Sequence, residues 1–234
     1  YRVKVRQMNQ RGLQAVSEAV ANSGHHQDDL LAIAGRYGCG EIHVKTDPDT
    51  GLVAIIAIHS TRLGPATGGC RCLPYPSFAT ALEDAANLAR GMSYKAALAG
   101  IPCGGGKSVL MRPGSIADRC AYFESFGEFI ETLGGRYVTA VDSGTGTADM
   151  DCIARSTSHV RGLSPEQGGG GDPSPFTARG VRKAMEIAVD RVLGRSGMEG
   201  IHVAIQGVGH VGYALAGEVH AGRGSRPVTA DNAA

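Results

Sequence analysis

The sequence predicts an α/β protein in two parts: an N-terminal α/β domain built on a mostly parallel sheet, then the start of a second α/β domain. Three observations predict it. Short apolar runs of strand length alternate with longer segments of helical periodicity, the pattern of strands joined by crossover helices. A glycine cluster, Gly168 to Gly171, breaks the composition and marks a hinge. Beyond it, Ile201 to Gln206 runs straight into Gly207-Val208-Gly209-His210-Val211-Gly212 and another helical segment. The division this suggests is 1–163 and 164–234.

In chain order, Leu13 to Val20 has the spacing of an amphipathic helix, and a polar stretch follows through Asp29. Glu41 to Thr46 and Leu52 to His59 are strand-like and flank Asp47-Pro48-Asp49-Thr50-Gly51, whose turn residues predict a hairpin. Gly64 to Gly69 reads as a loop whose glycines let backbone approach a ligand, or simply as a turn. Ser77 caps a helix expected to reach Ala99, with Ala81, Leu82, Ala85, Leu88, Ala89 and Met92 as its buried stripe. A strand is expected from Ser108 to Met111. Ser115 should then open a helix with Phe123, Phe126, Phe129, Ile130 and Leu133 inward and Gly134-Gly135 as its stop.

Tyr137 to Val141 is a buried strand with Asp142 at its C-terminal end, where open α/β sheets place their ligand sites. Thr147 opens a short helix with acids in its first turn. Ser174-Pro175 caps the next helix, whose apolar face reads as Val181, Ala184, Met185, Ala188 and Val192. The strand from Ile201 leads into the glycine fingerprint and a helix through about Val219, and Pro227 to Asp231 is the following strand. Strand, glycine turn, helix and a distal acid together predict a Rossmann dinucleotide site at Gly207, Val208, Gly209, Gly212 and Asp231.

The chain has 234 residues, a net charge of +1, 5% aromatic residues and no Trp. Without a basic block, this composition argues against nucleic-acid or membrane-surface partners. The longest apolar runs, such as Leu52 to Ile58, are far too short to span a bilayer, and the N-terminus does not resemble a signal peptide. The six cysteines form no CxxC pair, so no metal site is expected; they read as scattered, reduced and cytoplasmic. The chain begins with Tyr1 rather than Met, and Asp231 to Ala234 close no helix, which reads as a cut.

Two lysines lie in a stretch that otherwise reads as buried, Leu88 to Leu110. Lys95 follows Met92 at helical spacing on or near the apolar face, and Lys107 ends the Gly104-Gly105-Gly106 run. Taken out of water, or set beside another lysine, such a group loses its proton more readily and can serve as a general base. The other reading is that both snorkel to solvent.

With these residues in view, the chain resembles the amino-acid dehydrogenases of the Glu/Leu/Phe/Val group, most of all the branched-chain leucine and valine members. The resemblance rests on LGPATGGCR, LARGMSYKAALAG, GGGKSVL, RYVTAVDSGTGTADMD, DPSPFTARGV and QGVGHVG, in one order from about Asp28 onward. It implies NAD-dependent, reversible oxidative deamination of an L-amino acid to the 2-oxo acid and ammonia. Carried over by position, Lys107 is the catalytic lysine, with a lowered pKa, and Asp142 exchanges protons with the amino group. Lys95 holds the substrate carboxylate, Gly68 and Gly69 line the substrate pocket, Met92 packs beside it, and Thr177 lies near substrate and nicotinamide. A carboxylate at Asp231 favours NAD, because it repels a 2′-phosphate. Branched-chain members have an aliphatic residue where Thr67 stands, so phenylalanine stays open as substrate.

The resemblance also implies a homo-oligomer assembled through the first domain and further Rossmann strands after Ala234, so the chain is expected to be a fragment. Two alternatives are a short non-catalytic homologue that binds amino acid or serves in oligomerisation, and a decarboxylase or lyase that uses Lys107 covalently.

Overall fold

The computed structural model describes residues 2–3, 30–221 and 226–230, so the expected helix Leu13 to Val20 and Asp231 lie outside the described residues. The chain divides into two compact units, Tyr1–Gly171 and Asp172–Ala234.

The first unit is a sheet between helices. Strands β2 (Glu41–Asp47) and β3 (Leu52–Ser60) form the expected hairpin, pairing antiparallel from Asp47↔Leu52 to Glu41↔Ile58. Its turn is held by the Asp47 carboxylate, which accepts the Asp49 N–H at 3.1 Å and the Thr50 hydroxyl at 2.9 Å. Strand β1 (Arg2–Val3) pairs with the free edge of β2. With β4 (Ala66–Leu73), β5 (Gly104–Met111) and β6 (Tyr137–Val141), the sheet order is β1-β2-β3-β5-β4-β6. The sheet is mixed. β5, β4 and β6 run parallel, and β3 joins β5 antiparallel. Parallel strands need crossovers, and α2 (Phe78–Leu98) and α3 (Arg119–Glu131) supply them.

Alternation along β3 builds two cores. Ala54, Ile56 and Ile58 face Phe123, Phe126 and Ile130 of α3 and Met150 and Ile153 of α4 (Thr147–Ile153). Ile55 and Ala57 face α1 (Leu30–Tyr37) and α2, where Ala81, Ala85, Ala86 and Ala89 are fully buried. The alanines bring the α2 backbone close to the sheet, as its small-residue stripe predicts. Ser77 caps α2 in a reciprocal box with Thr80. On the opposite face the layer rests on aromatic volume, and truncating a buried phenylalanine such as Phe126 to Ala should cost about 3–5 kcal/mol.

Three expectations are corrected in this unit. Gly64 to Gly69 is not all loop: β4 begins at Ala66, so Gly68 and Gly69 are strand residues. Helix α3 starts after Asp118 rather than at Ser115, because the Asp118 carboxylate accepts the Ala121 N–H at 3.0 Å and satisfies the first turn. Cys120 and Cys152 are joined in a disulfide between α3 and α4, with Cα atoms 5.3 Å apart, so not all six cysteines are reduced.

The second unit contains α5 (Ser174–Leu193), β7 (His202–Gln206), α6 (His210–Ala221) and β8 (Arg226–Ala230), with β7 and β8 parallel. Its core is Ala178, Val189, Val203, Ile205, Leu215 and Val219. The expected apolar face of α5 is out of phase: Val181 and Val192 are 39% and 80% exposed. Arg182 lies towards α6 instead and donates to the Glu218 carbonyl at 2.6 Å, a polar tie that hydrophobic periodicity cannot register. Ser174 is the first helical residue and not the cap; the Asp172 carboxylate takes its N–H and hydroxyl. No described helix is long and apolar enough to cross a membrane.

Candidate active site

The chemistry gathers where the parallel strands meet. Lys107 stands in the middle of β5 and is 5% exposed. Asp142 follows the last residue of β6. β4 lies between these strands, so two side chains can meet across it only where β4 has none. That place is Gly69: a Cβ there would lie 2.7 Å from the Asp142 Cβ. Lys107 Nζ donates to Asp142 Oδ2 in a direct ion pair over this gap. Gly68 is held as tightly, since a Cβ on it would run into the Gly106 carbonyl. The ladder from β4 to β5 skips the residues between Thr67↔Gly105 and Cys70↔Ser108, which is where this close approach occurs. Tyr137 fixes the same point from beneath by donating to the Gly68 carbonyl at 2.7 Å.

Asp142 is anchored by the turn that carries it. Its N–H donates to Thr145 Oγ1 at 2.9 Å, and the Thr145 hydroxyl lies 2.9 Å from the Cys70 carbonyl on β4. Arg119 of α3 grips the turn from outside, donating to Gly144 O at 2.9 Å and to both oxygens of Asp149. Burial alone would raise the Asp142 pKa. The charge and hydrogen bond of Lys107, the Ser143 backbone and the charge of Arg71 outweigh it and hold the carboxyl below its usual range.

The other expected residues fall in three places. Gly105 brings β5 against α2, since a Cβ on it would strike the backbone near Ser93. Met92 is half-buried beside that contact. Lys95 is exposed near the end of α2, which corrects its expected place on the apolar face: the stripe there passes through Ala89 and Ala96. The structure therefore brings Gly68, Gly69, Lys107 and Asp142 together and leaves Lys95 open to solvent.

The remaining candidates belong to the second unit. Thr177 is exposed in the first turn of α5 and donates to the Pro173 carbonyl. The fingerprint lies between β7 and α6, as expected. Gly207 has φ +87°, a left-handed turn that favours glycine. A Cβ on Gly212 would strike the Gly207 carbonyl, so this glycine sets helix against strand. A Cβ on Gly209 would meet nothing, so a pyrophosphate could come close to the backbone N–H groups at the start of α6. These residues fit a dinucleotide. Among the described residues no group of three or more His, Cys, Asp or Glu could hold a metal ion.

Three residues of the first-unit cluster have no role assigned from the sequence, although Arg71 closes the LGPATGGCR stretch. Arg71 of β4 places Nε 3.4 Å from Asp142 Oδ2, and its Nη1 donates to Asp84 at 2.8 Å. Tyr75 donates to the same Asp84 oxygen at 2.6 Å. A usable signal exists: in a strand, residue i+2 shares the face of residue i, so Arg71 follows from Gly69 once that stretch is read as a strand.

Comparison with known proteins finds the relatives of this chain among amino-acid dehydrogenases. Residues 39–159 match the family described as Glu/Leu/Phe/Val dehydrogenase, dimerisation domain. Leucine dehydrogenase of Geobacillus stearothermophilus is 49% identical over 192 residues, covering 82% of this chain and 52% of that relative. Valine dehydrogenase of Streptomyces coelicolor is 47% identical over 178 residues, 76% of this chain and 49% of the relative. The crystal structure of L-tryptophan dehydrogenase from Nostoc punctiforme superposes with a TM-score of 0.61 at 33% identity, covering 85% of this chain and 55% of that one. The chain spans about half the length of the curated relatives it matches.

Proposed function

The chain belongs to the Glu/Leu/Phe/Val dehydrogenase family, and from that premise we propose that the protein carries out NAD-dependent, reversible oxidative deamination of a branched-chain L-amino acid, leucine or valine. The products are the 2-oxo acid and ammonia. The observation that carries the reading is the Lys107–Asp142 pair over Gly69, a lysine and a carboxylate held side by side on the sheet.

Deamination sets three tasks for the chain's own residues. The substrate carboxylate needs a fixed cation, and Lys95 is the candidate, with an ammonium open to solvent and free to take it. The amino group must give up a proton, and Asp142, kept ionised by its neighbours, is placed to take it. Once Cα has lost its hydride, water must be deprotonated as it adds there, with the C–N bond then breaking to release ammonia, and Lys107 is the base for the water. Gly68 and Gly69 would line the substrate pocket with Met92 beside them, and Thr177 keeps the role near substrate and nicotinamide that the family resemblance implies. NAD bound at Gly207, Val208, Gly209, Gly212 and Asp231 would supply the hydride acceptor, which is all the redox chemistry the reaction needs. The segments 1–163 and 164–234 would then be the substrate and nucleotide domains, and the protein a homo-oligomer joined through the first.

The test is NADH formation by the full-length protein with leucine, valine and phenylalanine. A branched-chain preference is expected. Faster turnover of phenylalanine would move the assignment to the aromatic members, the outcome Thr67 allows. Amino-acid binding without NADH formation would mean a non-catalytic binder, and borohydride trapping of substrate on Lys107 would mean covalent lyase chemistry.

A further inference from the structure

Arg71 has no part in the mechanism above, and its surroundings give it one. It shares a strand face with Gly69, so it lies beside the point where Lys107 and Asp142 meet. Its Nη1 is tied to Asp84 of α2, whose Oδ2 also accepts the Tyr75 hydroxyl. Its Nε is buried, makes no hydrogen bond, and lies 3.4 Å from Asp142 Oδ2. The oxygen that accepts from Lys107 therefore faces a second cation.

One carboxylate does not need two cations for neutrality, and these two differ in kind. An ammonium can give up its proton and a guanidinium cannot. For each of the two to take its proton, Lys107 must be neutral while Asp142 is still ionised. With Lys107 as its sole partner, Asp142 would at that moment be a half-buried carboxylate without a counter-charge, and burial would draw a proton onto it. Arg71 removes this conflict, because its charge is the same in both states of Lys107.

We propose that Arg71 is a positioning residue, the permanent counter-ion that holds the Asp142 carboxylate in place while Lys107 loses and regains its proton. The proposal rests on the amino-acid dehydrogenase reading of this site. Asp84 and Tyr75 act one step further out by clamping the guanidinium. The charged groups facing Asp142 are Lys107 from β5 and Arg71 from β4; those facing Arg71 are Asp142 and Asp84, with the Tyr75 phenol beside them.

The experiment compares the full-length protein with its Arg71→Leu, Arg71→Lys and Asp84→Asn variants in two measurements. One is steady-state oxidation of leucine and valine with NAD. The other, independent of turnover, is titration of the Asp142 carboxyl by carbon NMR on labelled aspartate, assigned with Asp142→Asn. Arg71→Leu is expected to lower kcat about 10- to 100-fold, the scale of a misplaced catalytic group, with KM changed less than about 3-fold. Arg71→Lys should recover part of that loss, Asp84→Asn should cause a smaller one, and the Asp142 midpoint should rise in Arg71→Leu. If Arg71→Leu does not fold, the Lys and Asn variants carry the same comparison.

An unmoved Asp142 midpoint, or an unchanged kcat in an active enzyme, overturns the role of Arg71 and leaves the dehydrogenase reading standing. A raised midpoint in a protein that oxidises no amino acid overturns the dehydrogenase reading and leaves Arg71 as the anchor of Asp142.

Discussion

The two units build their sites in opposite ways. In the first, Lys107 and Gly69 come from two parallel strands and Asp142 from the end of a third; they lie more than thirty residues apart in sequence and depend on side chains meeting over a missing one. In the second, Gly207, Gly209 and Gly212 fall within six consecutive residues, and the feature they make is backbone. The first kind of site is sensitive to the identity of each side chain and to the spacing of whole strands. The second is sensitive to local φ and to room for a ligand. The same substitution, glycine to alanine, should therefore fail differently in the two places.

The largest effect sharpens the side-chain half of the contrast. Lys107→Ala should lower kcat about 1,000-fold or more, the scale of losing a general base. Residual turnover within a few-fold of wild type would remove Lys107 from the chemistry. Next comes the paired test on glycine. Gly69→Ala puts a Cβ against Asp142 and should lower kcat about 100-fold and destabilise by about 1–3 kcal/mol, read by thermal melting. Gly209→Ala meets open space, so its melting curve should be unchanged while KM for NAD rises. Equal effects of the two substitutions on melting would break the comparison.

A smaller effect belongs to Lys95. Lys95→Ala should raise KM for the amino acid about 10-fold, the value of one charge-assisted hydrogen bond, with little change in kcat. An unmoved KM would take Lys95 out of carboxylate binding. The smallest concerns acid. The folded-state pKa of Asp142 is held below its unfolded value, chiefly by Lys107 acting against burial. Its contribution is thus full above the unfolded carboxylate range and is lost as pH falls through the folded value. Melting temperature should drop on acidification below about pH 4, and Asp142→Asn should flatten that limb. A limb unchanged in the variant would assign acid sensitivity to other carboxylates, such as Asp47, which Ser125 and Thr50 also hold low.

How much could be read in advance follows the same division. The hairpin at Asp47–Gly51, the Ser77 cap, the inward phenylalanines of α3 and the fingerprint are local patterns in which each residue's neighbours supply the signal. Lys107 and Asp142 were legible as candidates, one by its glycine run and the other by its strand end. Their contact was not, because nothing local says which strands become neighbours. Arg71 was hidden by reading Gly64 to Gly69 as loop, which discards the alternation that puts Arg71 and Gly69 on one face. The α5 face was misphased because a polar tie, Arg182 to Glu218, occupies the inward side. The Cys120–Cys152 link has no spacing rule, since the direct packing of α3 against α4 that brings the two thiols together is a tertiary contact.

The amino-acid order by itself determined the α/β class, the Ser77 cap, the glycine turn between β7 and α6 and the family, because each rests on short-range periodicity, backbone conformation or a run of motifs. Only the tertiary structure decided that Lys107 and Asp142 meet over Gly69, that Arg71 stands beside them and that Lys95 faces solvent. The reason is physical. Strand order is set by how the two cores pack on either side of the sheet, and the electrostatics of a buried carboxylate depends on which charges that packing brings within a few ångströms.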